Sequence, residues 1–305
     1  MILVCGDSAD PVTNLFCVRL DDYGADYRFL DLRSYPRSYK IVRYRQTDKS
    51  NGSISCADWS LRIEDIEAVF VRNLYDPNNK IDDRHGQDVG VALEAELNLG
   101  LHSLFTGLRC PVVNSFAAIW ANQSKPYQAT LIQRAGLLIP ATLITTNVGE
   151  ARRFCESMEN GGIYKSASAK TIGTRQVDLK TLPALMAGSK SAIYFQEYVR
   201  GSDIRVHVVG TKIFATKVNS GLVDYRFEET GRLRMEATSL PCKIAGACIH
   251  LTQRLGLLFS GIDLRETPEG DFYCFEVNAQ PGFTFFEQRT GQPISRALWE
   301  LLSGN

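Results

Sequence analysis

The residues whose types and spacing could do chemistry gather in GIDLRETPEGDFYCFEVNAQPGF, residues 261–283. Pro268-Glu269-Gly270-Asp271 is a turn sequence, and if residues 268 and 271 face each other across it, the same register sets Asp263 opposite Glu276. Their Cβ atoms then stand about 5 Å apart, and Asn278, two residues beyond Glu276, points to the same face. Like charges so opposed in an apolar hairpin call for something positive between them. Two carboxylates and an amide suit magnesium or manganese, which keep waters and bridge to substrate phosphates. A solvent-facing hairpin is the other reading of these residues; Tyr273, Phe275 and Val277, alternating with polar positions, favour a covered sheet. The turn from Asn278 to Gly282 adds backbone donors that could approach an anion.

Those side chains need elements to hold them, and the 305 residues suffice for about two domains and a large core. Lys plus Arg equals Asp plus Glu at 34 each, so no global field draws nucleic acid or an anionic membrane, and any anionic ligand must be held locally. No apolar run approaches the ~20 residues of a membrane span and the opening MILVCGDSAD is not a signal peptide, so a cytoplasmic protein without nucleic-acid or membrane partners is expected. The eight cysteines form no C-x-x-C and sit in strings such as FYCFEV and AGACIHL, which predicts reduced, buried small hydrophobes rather than a disulfide or zinc framework.

Short apolar runs alternate with amphipathic ones through MILVCGD, a helix from Pro11, YRFLDLR and EAVFVRN, the rhythm of a small α/β domain. Leu93, Leu97, Leu101, Leu104 and Leu108 mark a helix over 88–108, and Pro111 a boundary. Beyond it the patterns predict helices from Ser124 and Gly149, strands at GIYKSAS and AIYFQEYV, and a hairpin at Val209-Gly210-Thr211-Lys212. A helix over 243–257 and a final one from Pro293, burying Ile294, Ala297, Leu298, Leu301 and Leu302, complete the chain.

The D-x12-E-x-N hairpin resembles the metal end of the ATP-grasp superfamily. EVNAQPGFTFFEQRTGQPISRALWELL is similar to the C-terminus of RimK-like enzymes of the microviridin, or graspetide, maturation group, through Glu287-Gln288, Thr290-Gly291 and Pro293-Ile294-Ser295. VFVRNLYDP, VVNSFAAIWANQSKPYQATLIQRAGLLIPATLITTN and DIRVHVVGTKIF extend the likeness in the same order. The resemblance implies an α/β (α+β) ATP-grasp fold. Its parts would be an N-terminal α/β pre-ATP-grasp domain (1–112), a central α+β subdomain (113–199) and a C-terminal α+β subdomain with the metal site (200–305).

It also implies ATP with Mg2+ or Mn2+ as cofactors. On the matching positions, Lys125 and Lys165 would contact nucleotide phosphates, and Ser166 would open a closing loop that runs to Gly173. In Gln196-Glu197-Tyr198-Val199, Glu197 would take the ribose and the backbone of Tyr198 and Val199 the base. Asp203-Ile204-Arg205 and Asp224-Tyr225-Arg226 match D-I-R and D-x-R elements. Arg205 and Arg226 are then candidates for a substrate carboxylate and the transferred phosphoryl group, with Lys217 as a third catalytic candidate and Asp203 among the cofactor-binding residues. His207 shares a face with Arg205 and is read as structural, with general base as the alternative. Arg72 echoes the first of two family arginines, the second being Asn73 here.

The implied activity is an ADP-forming ligase that activates a carboxylate as an acylphosphate and forms an amide or ester. The expected substrate is the Asp or Glu side chains of a ribosomal precursor peptide, whose leader would dock near residues 201–226. A homodimer is the expected assembly. Two other readings stay open: a RimK-type ligase adding an amino acid to a protein or small-molecule carboxylate, and an ATP-binding regulatory module.

Overall fold

The computed structural model describes residues 1–46, 49–72, 87–165, 174–189, 191–219 and 233–304. It opens on β1 (Ile2–Gly6), buried throughout, and α1 (Pro11–Asp22). Asp10 starts that helix: its carboxylate accepts from Thr13 N at 2.9 Å, while Pro11 has no N–H to satisfy. β2 (Tyr27–Asp31) runs parallel to β1. β3 (Lys40–Gln46), β4 (Lys49–Ser55) and β5 (Ser60–Arg62) form a separate antiparallel sheet that the apolar pattern does not announce. β6 (Ala68–Val71), α2 (Gln87–Thr106) and β7 (Val112–Val113) complete a parallel sheet of order β2-β1-β6-β7.

The chain continues through α3 (Phe116–Ala121) and α4 (Lys125–Arg134), the latter capped by Ser124 and stopped at Gly136, whose φ of 84° favours glycine. β8 (Thr142–Thr145), α5 (Val148–Ser157), β9 (Gly162–Lys165), β10 (Arg175–Gln176), α6 (Leu182–Gly188) and β11 (Ile193–Glu197) then build a small sheet of order β10-β9-β11-β8. It has its own core of Ala151, Cys155, Leu182, Ile193 and Phe195.

β12 (Ser202–Val209) and β13 (Lys212–Asn219) form the expected hairpin, with Val209 paired to Lys212. β14 (Arg234–Thr238), α7 (Cys242–Arg254), β15 (Phe259–Glu266) and β16 (Phe272–Asn278) give a five-stranded sheet of order β14-β13-β12-β15-β16. α8 (Thr284–Thr290) and α9 (Ile294–Ser303) close the chain.

Alternation gives this sheet two faces. Ile204, Val206, Val208, Ile262, Leu264, Cys274 and Val277 pack on one, together with Leu251 of α7 and Leu131 and Ile132 of α4. The other joins the first sheet: Phe259, Phe283, Phe286 and Ile294 share a core with Val4, Phe16 and Phe70. The span 113–199, expected as one central unit, therefore divides. Its first helices α3 and α4 pack on the C-terminal sheet, and the separate small core gathers residues from Leu143 to Phe195.

Of the cysteines, Cys5, Cys155, Cys248 and Cys274 are buried, Cys17, Cys56 and Cys110 half-buried, and Cys242 exposed; all eight are free thiols. Burial pushes the Cys248 thiol up to about 12, which keeps it protonated and inert. Among the described residues no helix is long and apolar enough to cross a membrane.

Candidate active site

β15 and β16 place Asp263 opposite Glu276, and Gly261 opposite Asn278, as the turn reading predicts. The register nevertheless shifts between Asp263 and Leu264: Leu264 pairs with Cys274, and the turn is one residue longer than expected, Thr267 N donating to Asp271 O at 2.9 Å. Phe275 is the extra residue, a β-bulge. In an unbroken strand Cys274 and Glu276 would share a face; with the bulge, Cys274 and Val277 both enter the core while Glu276 still meets Asp263.

Side chains from α3 and α4 pin this strand. Gln128 accepts from Val277 N at 2.8 Å and donates to Val277 O at 2.9 Å, and Asn122 Nδ2 donates to the same carbonyl at 2.7 Å. Asn114 makes four hydrogen bonds, accepting from Leu258 N and Phe259 N and donating to Phe259 O and Ala279 O. Arg72 spends its guanidinium on Asp10 and on the carbonyls of Gln280 and Pro281, so it holds the turn after β16. Glu287, from the EQ motif, accepts from Ser295 N and Oγ at 2.7 Å and from Arg19 Nε at 3.3 Å, fastening the start of α9.

Each carboxylate carries a cation from the chain itself. Arg205 Nη1 donates to Asp263 Oδ1 at 2.6 Å and Lys125 Nζ to Glu276 Oε2 at 2.5 Å, while Asn278 Nδ2 reaches Asp263 Oδ2 at 3.3 Å. The positive charge that the opposed pair demands is thus already supplied by protein groups. Lys165, at the end of β9, lies over the Phe275 ring, 5.7 Å from its centroid. Two lysines 40 positions apart in sequence therefore converge on residues 275 and 276.

On the connector, Gln196 is buried and shares a face of the small sheet with Lys165. Its Nε2 donates to Thr142 Oγ1 at 3.4 Å, but its Oε1 has no hydrogen-bond partner among the described residues. Glu197 accepts from Ala141 N at 3.1 Å. Tyr198 N donates to Gly161 O, and Val199 O accepts from Arg265 Nη1 at 2.9 Å, so these two backbone groups expected near the base are engaged within the protein. Asp203 is held by Arg265 through Nε and Nη2.

Register corrects the expectation for Lys217. It pairs with Ile204 and so projects to the face opposite Arg205, where its Nζ lies 3.5 Å from Glu266 Oε2. His207 does share the face of Arg205, wholly buried between Phe259 and Phe286. Nε2 sits 3.0 Å from Gly282 O and, facing an acceptor, carries the proton. Burial, then the neighbouring Arg205 charge, hold the imidazole down at about 3, so it is neutral near pH 7 and structural in role. Ser166, Arg226 and Asn73 lie outside the described residues.

The donor set fits a magnesium nucleotide. Asp263 and Glu276 keep 27% and 17% of their side-chain surface exposed, and with Asn278 they offer the hard oxygen ligands such an ion prefers. The partnerless Gln196 acceptor faces the same side as Lys165.

Residues 123–302 match the RimK-like ATP-grasp domain. The chain belongs to that family. It is an ATP-grasp ligase, from a family that uses ATP with magnesium. The fold agrees with solved members. It is similar to the macrocyclase MdnC of Microcystis aeruginosa MRC bound with precursor peptide MdnA: 23% identical, TM-score 0.86, covering 100% of this chain and 99% of that one. It is also similar to a Chryseobacterium gregarium RiPP-associated ATP-grasp ligase in complex with ADP and a leader and core peptide: 21% identical, TM-score 0.85, covering 99% and 96%. Among curated proteins, a "Probable alpha-L-glutamate ligase" of Vibrio vulnificus is 25% identical over 210 residues, 64% of this chain and 67% of that protein.

Sequence reasoning missed Arg265, Asn114, Asn122 and Gln128. Arg265 carried a signal, since it stands two residues from Asp263 on the same strand; the three amides carried none.

Proposed function

We propose that this RimK-like ATP-grasp ligase binds ATP with Mg2+ or Mn2+ against Asp263, Glu276 and Asn278, and closes amide or ester bonds in a precursor peptide. The observation that carries the reading is the convergence of Lys125 and Lys165 on the hairpin that pairs Asp263 with Glu276. The precursor peptide bound to MdnC and the leader and core peptide bound to the Chryseobacterium ligase support a peptide substrate.

A substrate carboxylate oxygen attacks the γ-phosphorus of ATP, ADP leaves, and an acylphosphate results. An amine or hydroxyl of the same peptide then attacks the acyl carbon and expels phosphate. The chain's part is to position and to neutralise: Lys125 and Lys165 meet phosphate oxygens, Arg205 and Arg226 meet the substrate carboxylate and the migrating phosphoryl group, and Glu197 takes the ribose. Asp263, Glu276 and Asn278 would hold a divalent ion, which would supply positive charge to offset that of the phosphates. Residues 201–226 receive the leader.

The test supplies the purified protein with ATP, magnesium and a candidate peptide carrying acidic and hydroxyl or amine side chains, with hydroxylamine in a parallel sample. ADP, a hydroxamate and a product lighter by one water per bond are expected. AMP with pyrophosphate would refute the acylphosphate route, and a product heavier by one amino-acid residue would move the assignment to the glutamate-ligase type.

A further inference from the structure

We propose that Arg265 is a positioning residue that sets the spacing between the base-side connector and the carboxylate hairpin. It stands two residues beyond Asp263, on the same face of β15, and only 8% of it is exposed. Its guanidinium donates to Val199 O at 2.9 Å and to Asp203 Oδ1 twice, at 2.8 and 2.6 Å. The same planar group lies 5.3 Å from the centroid of the Phe275 ring and 5.9 Å from that of Tyr198.

Three pieces of chain meet on that one plane: the connector at Tyr198–Val199, the start of β12 at Asp203, and the bulge residue beside Glu276. The small sheet has a core of its own, so its seat over the hairpin depends on ties of this kind. A second tie lies on the chain leading into that sheet, where Cys274 N donates to Leu138 O at 2.8 Å and Leu138 N to Phe272 O at 3.3 Å. Only a planar fork can donate in three directions and still lie against two rings; an ammonium cannot.

The inference rests on the nucleotide reading above. If the base lies at the connector and the phosphates at the hairpin, Arg265 sets the distance between them. A ligand spanning both ends must then feel its loss, and a ligand holding only the phosphate end must not.

Calorimetric titrations with Mg·ATP and with Mg·tripolyphosphate, on wild type, Arg265→Met and Arg265→Lys, test this. The Met variant should bind ATP about tenfold more weakly, as expected for two or three lost hydrogen bonds, and keep tripolyphosphate within about twofold of wild type. Lys, which retains the Asp203 charge pair, should recover part of the loss. Equal weakening of both ligands would make Arg265 a support of the hairpin alone, and unchanged ATP affinity in a folded variant would remove it from the site; either overturns the inference. Should the Met variant not fold, the Lys variant carries the same comparison. A wild type that binds tripolyphosphate but gains nothing from the base overturns this inference and leaves the phosphate site standing, whereas one that binds neither overturns the nucleotide reading together with it.

Discussion

Gly261 is where a single methyl group should do most damage to the site. A Cβ built there lies 2.3 Å from Arg205 Nη2 and 2.6 Å from both Arg205 Cζ and Pro281 Cβ. Ordinary contact begins near 3.4 Å, so the guanidinium must retreat by about 1.1 Å. It has little freedom to do so: Asp263 holds it at 2.6 Å, and the Phe286 ring lies 5.7 Å away. Behind Pro281 stand the Arg72 hydrogen bonds. Gly261→Ala should therefore cost about 1–3 kcal/mol by overpacking. At roughly 2 °C per kcal/mol for a chain of this size, Tm falls by about 2–6 °C. Turnover falls further, because Asp263 loses its partner. Urea unfolding of Gly261→Ala, Arg205→Ala and the double variant isolates the contact. With the guanidinium gone, the added methyl should be tolerated better by at least about 1 kcal/mol. Additive effects, within about 0.5 kcal/mol, would refute the argument that Gly261 is a glycine to make room for Arg205.

Glu276→Gln removes the charge of a proposed metal ligand while preserving shape; turnover at limiting magnesium should be lost with the far-ultraviolet spectrum unchanged, and near wild-type turnover would take Glu276 out of the site. His207 is protonated only near pH 3 when folded but near 6.5 when unfolded, so its contribution to stability is complete above pH 6.5 and declines as pH falls towards 3. Between pH 6.5 and 5 that amounts to about 1.5 kcal/mol, to be read as a drop in urea midpoint that His207→Phe should lack. Asn114→Ala leaves four backbone groups of the hairpin region without their side-chain partner, and a loss of about 2–4 kcal/mol is expected in chemical denaturation.

Long, strongly patterned elements were legible in the sequence. α1, α2, α4, α7 and α9 each begin within one residue of the start that spacing and capping announce, because a helix that buries one stripe must repeat it. The sheet of β3, β4 and β5 was not, since KSNGSIS is mostly small and polar and draws its place from pairing with β3 and β5. Nor was the assignment of α3 and α4 to the C-terminal sheet: Pro111 marks a change of element, and nothing local tells which distant sheet a helix will cover. The faces were only half legible. Arg205 and His207 follow from alternation within one strand, but the side on which Lys217 falls depends on its cross-strand partner Ile204.

The hairpin itself shows how a correct conclusion came from an incomplete premise. A four-residue turn and an unbroken ladder set Asp263 against Glu276; the real turn is longer and the ladder is broken at Phe275, and the two departures cancel from that pair onward, at Ile262–Val277 and Gly261–Asn278 as well. The bulge is not incidental. An unbroken strand would turn the Cys274 side of β16 to the carboxylates and bury Phe275 in the core, removing the ring that Lys165 and Arg265 lie against. The sequence cue was the charge pair, and the structural solution was an aromatic residue inserted beside it. Deleting Phe275 would leave Cys274, Glu276, Val277 and Asn278 alternating as a regular ladder with Asp263 still opposite Glu276, and would remove only the ring that Lys165 and Arg265 lie against.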